Sequence, residues 1–149
     1  MNRYYFDASA LVKRYATEQG TDLVLALLQR AANVYIASVA YAELIMAFRR
    51  KRDEGTLQGE QLVQLLRDLD TEWEGLDRVD LTDAVLHLVR DNCRFYPLRA
   101  LDAVHLASAL FLRQEGMAFE FVCSDQRLKD AASTEGFDVI DPAEVEGST

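Results

Sequence analysis

Residues 1–15 read MNRYYFDASALVKRY, and the apolar run Tyr4, Tyr5 and Phe6, closed by Asp7, decides the fold. Three large apolar residues in succession predict the end of a buried strand. The small residues and helical pattern after Asp7 predict an immediate turn into a helix. In an open parallel sheet, ligands bind beyond the carboxyl ends of the strands, where the chain turns from strand to helix. The stretch therefore predicts an α/β fold with the Asp7 carboxylate at its ligand-binding edge.

The alternation of strand and helix continues outward from this stretch. Short runs of apolar, β-branched or aromatic residues predict strands at 3–6, 34–37, 119–123 and 138–140, with a weaker one at 76–79. Helical patterns lie between them, at 9–16, 21–32, 39–52, 59–73, 80–92, 100–114 and 126–134. Because such alternation favours parallel pairing, we expect a three-layer α/β sandwich, with a mainly parallel sheet of four to five strands and helices on both faces.

The composition is typical of one soluble domain. Of the 149 residues, 50% are apolar, and only 2 prolines and 7 glycines occur, without a low-complexity stretch that would mark a linker. Neither a signal-peptide pattern nor an apolar run of membrane-spanning length is present, so we expect a single domain over 1–149, cytoplasmic and without a membrane partner. Cys93 and Cys123 fit no zinc-binding spacing, which favours reduced thiols.

The charge balance restricts how the protein can bind a polyanion. With 16 basic and 25 acidic residues, the formal net charge is -9, which argues against loose electrostatic binding to nucleic acid. Any nucleic-acid contact must therefore be local. The basic run at 49–52 is either a solvated helix end or an edge that holds phosphates.

Two acidic residues are predicted at the same edge of the sheet. Asp125 ends the apolar run FEFVCSD at 119–125 just before a helical pattern, as Asp7 does after its own strand. The carboxyl ends of parallel strands share one edge, so the two side chains should lie near each other. Each is also a good helix N-cap, a structural role that contributes about 1 kcal/mol.

Two further acids lie on helical patterns. Around Glu43 the residues three and four positions away on either side are all apolar, so Glu43 is predicted to face inward and to need a partner, either an arginine or a metal ion. Asp102 falls in the first turns of the helix after Pro97, where the helix dipole favours an acid. His105, three residues later, is either a ligand or a hydrogen-bonded core histidine.

Taken together, these four carboxylates predict a metal site. Two negative charges at about 4 Å repel by roughly 4 kcal/mol at an effective dielectric constant of 20, so a cluster of four acids is unfavourable without a cation. An all-oxygen set with no histidine or cysteine partner suits Mg²⁺ or Mn²⁺ better than Zn²⁺. The set consists of Asp7, Glu43, Asp102 and Asp125.

The motifs YYFDASALVKRY, IASVAYAEL, LRALDAVHLASAL and FVCSDQRLKDAA, in this order, resemble those of the PIN-domain ribonucleases, and most closely the VapC-like toxins of toxin–antitoxin pairs. The resemblance spans nearly the whole chain. It implies a Rossmann-like PIN fold, catalysis and metal binding by Asp7, Glu43, Asp102 and Asp125, and Mg²⁺- or Mn²⁺-dependent cleavage of RNA. It also implies a cognate antitoxin protein and a homodimer of the nuclease.

At this metal site we expect Asp7 and Asp102 to be the strongest ligands. Glu43 is expected to be a ligand or a supporting base, and Asp125 to lie on the open side of the site. Ser9 matches the small hydroxyl residue after the family's first acid, although a helix cap is an equally good use for it. Many members carry Thr or Ser two places before the last acid, where this chain has Cys123, so either Ser124 substitutes or the second metal position is weak. Candidates to hold flanking phosphates are Lys13, Arg14, Arg49, Arg50 and Arg99.

Other α/β proteins that gather acids at strand ends fit the sequence less well. A phosphoryl-accepting receiver domain needs adjacent paired acids near the first strand, and FDAS offers one. A phosphatase with an aspartate nucleophile would show a second acid at the position of Ser9. The remaining alternative is a non-catalytic PIN-fold interaction module in which the acids only cap helices. Loss of one or more of the four acids would favour it, and all four are present.

Overall fold

The computed structural model describes residues 2–147 and contains a five-stranded parallel sheet. The strand order is β3-β2-β1-β4-β5, so the strand that precedes Asp7 is central. All five predicted strands are confirmed. They are β1 (Arg3–Phe6), β2 (Asn33–Ala37), β3 (Asp77–Val79), β4 (Glu120–Val122) and β5 (Val139–Ile140).

Eight α-helices connect and flank the strands in the described part of the chain. They are α1 (Ala8–Tyr15), α2 (Thr21–Arg30), α3 (Ala40–Asp53), α4 (Gly59–Trp73), α5 (Asp83–Leu88), α6 (Ala100–Gln114), α7 (Gln126–Thr134) and α8 (Pro142–Gly147). The prediction of a single helix at 80–92 was wrong in detail. The Thr82 hydroxyl accepts a hydrogen bond from the backbone N–H of Val85 and so begins α5, and a π-helical turn, Val89–Cys93, follows α5. The short helix α8 was not predicted.

The alternation of side chains along β1 builds the two cores. Tyr4 and Phe6 point to one face and pack with residues of α1, α2, α3 and α4. Tyr5 points to the other face and packs with residues of α5, α6 and α7. This period of two is a property of any strand, and burial of both faces explains why β1 is an unbroken apolar run. The predicted α/β sandwich with helices on both faces is confirmed.

The site is positioned by the pairing of β1 with β4. The chain adds β2 and β3 on one side of β1 and β4 and β5 on the other, so the winding of the sheet reverses between β1 and β4. The backbone N–H of Asp7 donates to the carbonyl of Val122 at 3.2 Å, which holds the ends of the two strands together. Asp7 and Asp125 thus follow neighbouring strands at the reversal, where α/β sheets bind ligands.

Helix α6 is the most buried helix and brings its first turn to the same edge. Every residue from Ala103 to Leu110 is buried, whereas Asp102 just before them is partly exposed. Because α6 is enclosed along most of its length, the position of Asp102 is fixed by the core. Within residues 2–147, no helix has the length and apolar composition needed to cross a bilayer.

Candidate active site

Asp7 is held by three groups of the protein. Its carboxylate caps α1 by accepting a hydrogen bond from the backbone N–H of Ala10 at 3.0 Å. The Ser9 hydroxyl lies 2.8 Å from both carboxylate oxygens, and the Cys123 thiol donates to Oδ2 at 3.4 Å. Asp7 is only 2% exposed. Burial raises its pKa, and the nearby His105 and these hydrogen bonds offset the rise only in part.

Asp125 is both a helix cap and part of a cavity. Its Oδ1 accepts a hydrogen bond from the backbone N–H of Leu128 at 3.0 Å and so begins α7. The predicted cap role is confirmed for Asp125, as it is for Asp7. The side chain also lines a cavity of about 500 Å³. A capping role therefore does not exclude a second role, because a carboxylate has two oxygens.

The cavity collects three of the four predicted acids, Glu43, Asp102 and Asp125. Asp7 lies behind Ser9, which lines the cavity and contacts the Asp7 carboxylate. The other lining residues are Ala8, Val12, Leu44, Ala47, Arg50, Arg99, Ala100 and Leu101. A larger cavity of about 740 Å³, lined by Arg3 and Arg78 among others, contains none of the four acids. The chemistry therefore points to the smaller cavity.

The four acids share one electrostatic environment. The pKa of Asp102 is raised above its ordinary value, first by burial and then by the negative charges of Asp125, Asp7 and Glu43. His105 lowers it in part. The charges of the other three acids all affect the pKa of Asp102, and electrostatic influence weakens with distance. These residues, far apart in the sequence, therefore lie near one another.

Glu43 is paired with a histidine instead of an arginine. Its Oε1 lies 2.6 Å from Nε2 of His105, which is almost completely buried. Burial lowers the pKa of His105, but the hydrogen bond to Glu43 and the charges of Asp7, Glu43 and Asp102 raise it on balance. His105 is therefore the hydrogen-bonded histidine foreseen as one of two alternatives, and it gives the acidic cluster a basic neighbour.

Several carboxylate oxygens at the cavity are free for a ligand. In the described residues, neither oxygen of Asp102 accepts a hydrogen bond from a protein donor, and the same holds for Oε2 of Glu43 and Oδ2 of Asp125. No group of three or more His, Cys, Asp or Glu side chains in residues 2–147 already has the arrangement of a metal centre. The donor chemistry nevertheless fits a hard divalent cation, since all the free ligand atoms are carboxylate oxygens.

Comparison with known proteins identifies the family. The model of the PIN domain matches residues 4–133. The chain belongs to the PIN domain family. It is 34% identical to Ribonuclease VapC49 of Mycobacterium tuberculosis over 142 residues, covering 95% of this chain and 96% of that protein. It is also 34% identical to Ribonuclease VapC46 of the same organism over 144 residues, covering 96% of this chain and 100% of that protein.

Solved structures share the PIN fold. A toxin–antitoxin complex from Klebsiella pneumoniae superposes with a TM-score of 0.63 at 18% identity, covering 93% of this chain and 97% of that chain. FitAcB from Neisseria gonorrhoeae gives the same TM-score and coverage at 17% identity. At these identities the likeness concerns the fold, and the predicted PIN-like sandwich is confirmed.

Cys123 occupies the position for which the resemblance implies Thr or Ser, and its side chain contacts Asp7. Its thiol donates to Asp7, whereas the Ser124 hydroxyl donates to Oδ1 of Asp141 at 3.1 Å. Ser124 reaches the site only through its backbone N–H, which donates to Oγ of Ser9 at 3.2 Å. The side chain of Ser124 therefore does not replace the missing hydroxyl. The sequence marked Cys123 as a departure from the family pattern by its place two residues before Asp125, but did not predict its hydrogen bond to Asp7.

The basic candidates divide into two groups. Arg50 and Arg99 line the cavity that contains the acids, and they form no ion pair in the described part of the chain. Arg49 is exposed and pairs weakly with Asp53 at 3.7 Å. Lys13 is buried and its Nζ lies 2.9 Å from Glu18, so its charge is already paired and its role as a phosphate ligand stays a prediction.

Arg14 is also engaged inside the fold. Its guanidinium makes two hydrogen bonds to the Glu72 carboxylate, at 3.0 and 3.3 Å, which tie α1 to α4. This paired geometry uses the donors that a phosphate would need. The role of Arg14 as a phosphate ligand stays a prediction, and Arg50 and Arg99 are the basic candidates that line the cavity.

Proposed function

We propose that this protein is a Mg²⁺- or Mn²⁺-dependent endoribonuclease that acts as the toxin of a toxin–antitoxin pair. The observation that carries the proposal is the convergence of four acids on one cavity, which Glu43, Asp102 and Asp125 line and behind which Asp7 contacts Ser9. The similar proteins from Mycobacterium tuberculosis are named ribonucleases, which supports the same reaction. A site that only capped helices would not need this convergence.

The four acids would contribute to ion binding in different ways. Asp102, Glu43 and Asp125 have oxygens without protein donors and would hold the cation directly. Asp7, expected to be one of the strongest ligands, is fixed in place by donors on both oxygens, and a lone pair that these donors leave free would hold the cation from the base of the site. When bound, a divalent ion supplies polarisation of a phosphoryl oxygen and a lowered pKa for an attacking water.

The remaining residues of the cavity bind and orient the RNA. Arg50 and Arg99 approach the cavity from α3 and from the start of α6, and would hold the phosphates that flank the scissile bond. The apolar side chains of Val12 and Leu44 exclude water from the wall between these charges, which strengthens electrostatic contacts. Local positive charge of this kind allows an acidic protein to bind an anionic chain.

The partners follow from the same assignment. The solved structures with the same fold include a toxin–antitoxin complex and VapBC2 of Rickettsia felis bound to promoter DNA. We therefore expect a cognate antitoxin for this chain, a homodimer of the nuclease and a place in the cytoplasm. Co-purification of the chain with the product of an adjacent gene tests the antitoxin, and light scattering tests the dimer.

The decisive experiment is cleavage of RNA by the purified protein. Total RNA is incubated with wild type, Asp102→Asn and Asp138→Asn in Mn²⁺, with and without chelator. Asp138 is an exposed acid outside the site, so its variant is a matched control. Discrete fragments from wild type and Asp138→Asn, absent with Asp102→Asn or chelator, are expected. Equal cleavage by all three proteins would indicate a contaminating nuclease, and no cleavage by any would favour a non-catalytic PIN module.

A further inference from the structure

Glu43 and His105 connect two helices that pack on opposite faces of the sheet. Helix α3 contributes to the core that contains Phe6, and α6 contributes to the core that contains Tyr5. The contact of 2.6 Å between Oε1 of Glu43 and Nε2 of His105 joins them at the carboxyl edge of the strands. The side chain of Glu43 is therefore tied to the most buried helix of the protein.

The chemistry of the pair fixes the direction of the hydrogen bond. A carboxylate accepts hydrogen bonds only, so Nε2 of His105 is the donor. Nδ1 of the same ring is buried and has no hydrogen-bond partner among the described residues. The bond to Glu43 is thus the one hydrogen bond of the His105 side chain within 2–147. A ring that is 1% exposed does not reorient easily, so His105 presents a fixed donor.

The backbone behind the ring is also held. The Tyr5 hydroxyl donates to the carbonyl oxygen of His105 at 2.8 Å, which links this turn of α6 to β1. Asp102 lies one helical turn before His105, on the same side of α6. One rigid unit therefore contains the strand that leads to Asp7, the turn that carries Asp102 and the donor to Glu43.

We propose that His105 is the positioning residue of the metal site, which holds Oε1 of Glu43 and thereby leaves Oε2 available to a divalent ion. The inference rests on the proposed ribonuclease function. His105 is not among the residues that line the cavity, so it acts through Glu43 and not by contact with RNA. Glutamate has more rotatable bonds than aspartate and therefore gains the most from a fixed donor. Partners that orient metal ligands change metal affinity by about 10- to 100-fold in other proteins.

The test measures Mn²⁺ affinity of the metal-free protein by calorimetry, without RNA. His105→Leu keeps the bulk of the ring but removes the donor, and should weaken Mn²⁺ binding by about 10-fold or more. His105→Gln keeps an N–H at similar reach and should stay within about threefold of wild type. The control is His87→Gln at an exposed position of α5, which should bind as wild type does. Melting curves without Mn²⁺ show that each variant is folded.

A double variant separates positioning from general damage. In a Glu43→Ala background, His105→Leu should weaken Mn²⁺ binding no further, because its effect passes through Glu43. If His105→Leu does not fold, His105→Asn, whose shorter amide falls short of Glu43, replaces it. Equal Mn²⁺ affinity of wild type and His105→Leu, or of wild type and His105→Asn in its place, would overturn the positioning role while leaving the ribonuclease proposal intact. A wild-type protein that binds no Mn²⁺ would instead overturn the ribonuclease proposal, and this inference with it.

Discussion

The thiol of Cys123 donates a hydrogen bond to Oδ2 of Asp7 across the junction of β4 and β1. The backbone N–H of Asp125 in turn lies 3.3 Å from the Cys123 sulfur. One side chain thus contacts two of the four acids. Because a thiol is a weaker donor than a hydroxyl, Cys123 holds Asp7 more weakly than a Thr or Ser at this position could.

The first prediction concerns the reactivity of this thiol. Burial and the charge of Asp7 raise the pKa of Cys123 well above its ordinary value, and burial raises the pKa of Cys93 to about 11. Both groups are therefore neutral thiols at pH 8, whereas the thiolate is the form that reacts with a disulfide reagent. We expect no reaction with such a reagent in the native protein and two equivalents per chain in denaturant. Rapid modification of one thiol in the folded protein would contradict the buried hydrogen bond.

The position of Cys123 also illustrates what the sequence could predict. The run of strand residues and the acid at its end were readable from 119–125. The period of two in a strand also places Cys123 on the face of Phe121, whereas Ser124 points away. Applied one residue beyond the strand, the same rule would have selected Cys123 over Ser124 as the neighbour of Asp7.

Other features depended on contacts that no local pattern contains. Lys13 is paired because a loop returns Glu18 to it, and Arg14 is paired because α4 brings Glu72 to it. The inward direction of Glu43 followed from its apolar neighbours, but its partner His105 lies 62 residues away on another helix. Helical periodicity indicates which face is buried, and only the packing of helices decides which buried groups meet.

The second prediction concerns stability and pH in the absence of metal. Asp102 has a raised pKa, so between its ordinary value of 3.8 and its folded value the native state binds more protons than the unfolded state. Stability contributed by this group is therefore present at acid pH and lost as the pH rises. In chelator at pH 7.5 we expect Asp102→Asn to melt higher than wild type, and the difference to shrink as the pH approaches 4.

The control for this experiment is Asp138→Asn, an exposed acid outside the cavity. It should melt as wild type does at both pH values, because an isolated surface carboxylate has little effect on folding. A melting temperature of Asp102→Asn below that of wild type at pH 7.5 would show that the carboxylate stabilises the metal-free fold, which contradicts net repulsion among the four acids.

The third prediction concerns added divalent ions. An ion that binds only the folded protein stabilises it by about 2.7 kcal/mol at 100 times its Kd, which for a chain of this size raises Tm by about 5–10 °C. We expect this rise with Mn²⁺ for wild type and a much smaller one for Asp102→Asn, because Asp102 offers two oxygens without protein donors. Calcium is a useful comparison, since its larger size tests whether the cavity favours Mg²⁺ and Mn²⁺. An equal rise for wild type and variant would place the ion elsewhere.

The fourth prediction concerns the two arginines at the cavity. Arg50 and Arg99 line it without an ion pair in the described part of the chain, so each is available to a phosphate. Replacement of either by Ala should weaken RNA binding and reduce its dependence on salt, since each phosphate of a single strand that a basic residue neutralises adds about 0.7 to the logarithmic salt slope. The rate at saturating RNA should change little, because these residues hold the substrate and do not contact the reacting atoms by this assignment.

Arg67 on α4 provides the matched control, because it is exposed and lies outside the cavity. Arg67→Ala removes the same charge from the protein, so any effect of net charge alone appears equally in this variant. Binding is measured by fluorescence anisotropy with a labelled RNA at several salt concentrations, using Asp102→Asn as the background to prevent cleavage. If Arg67→Ala reduced the salt slope as much as Arg50→Ala and Arg99→Ala, RNA would be held by the general field of the protein, and the cavity would not be its binding site.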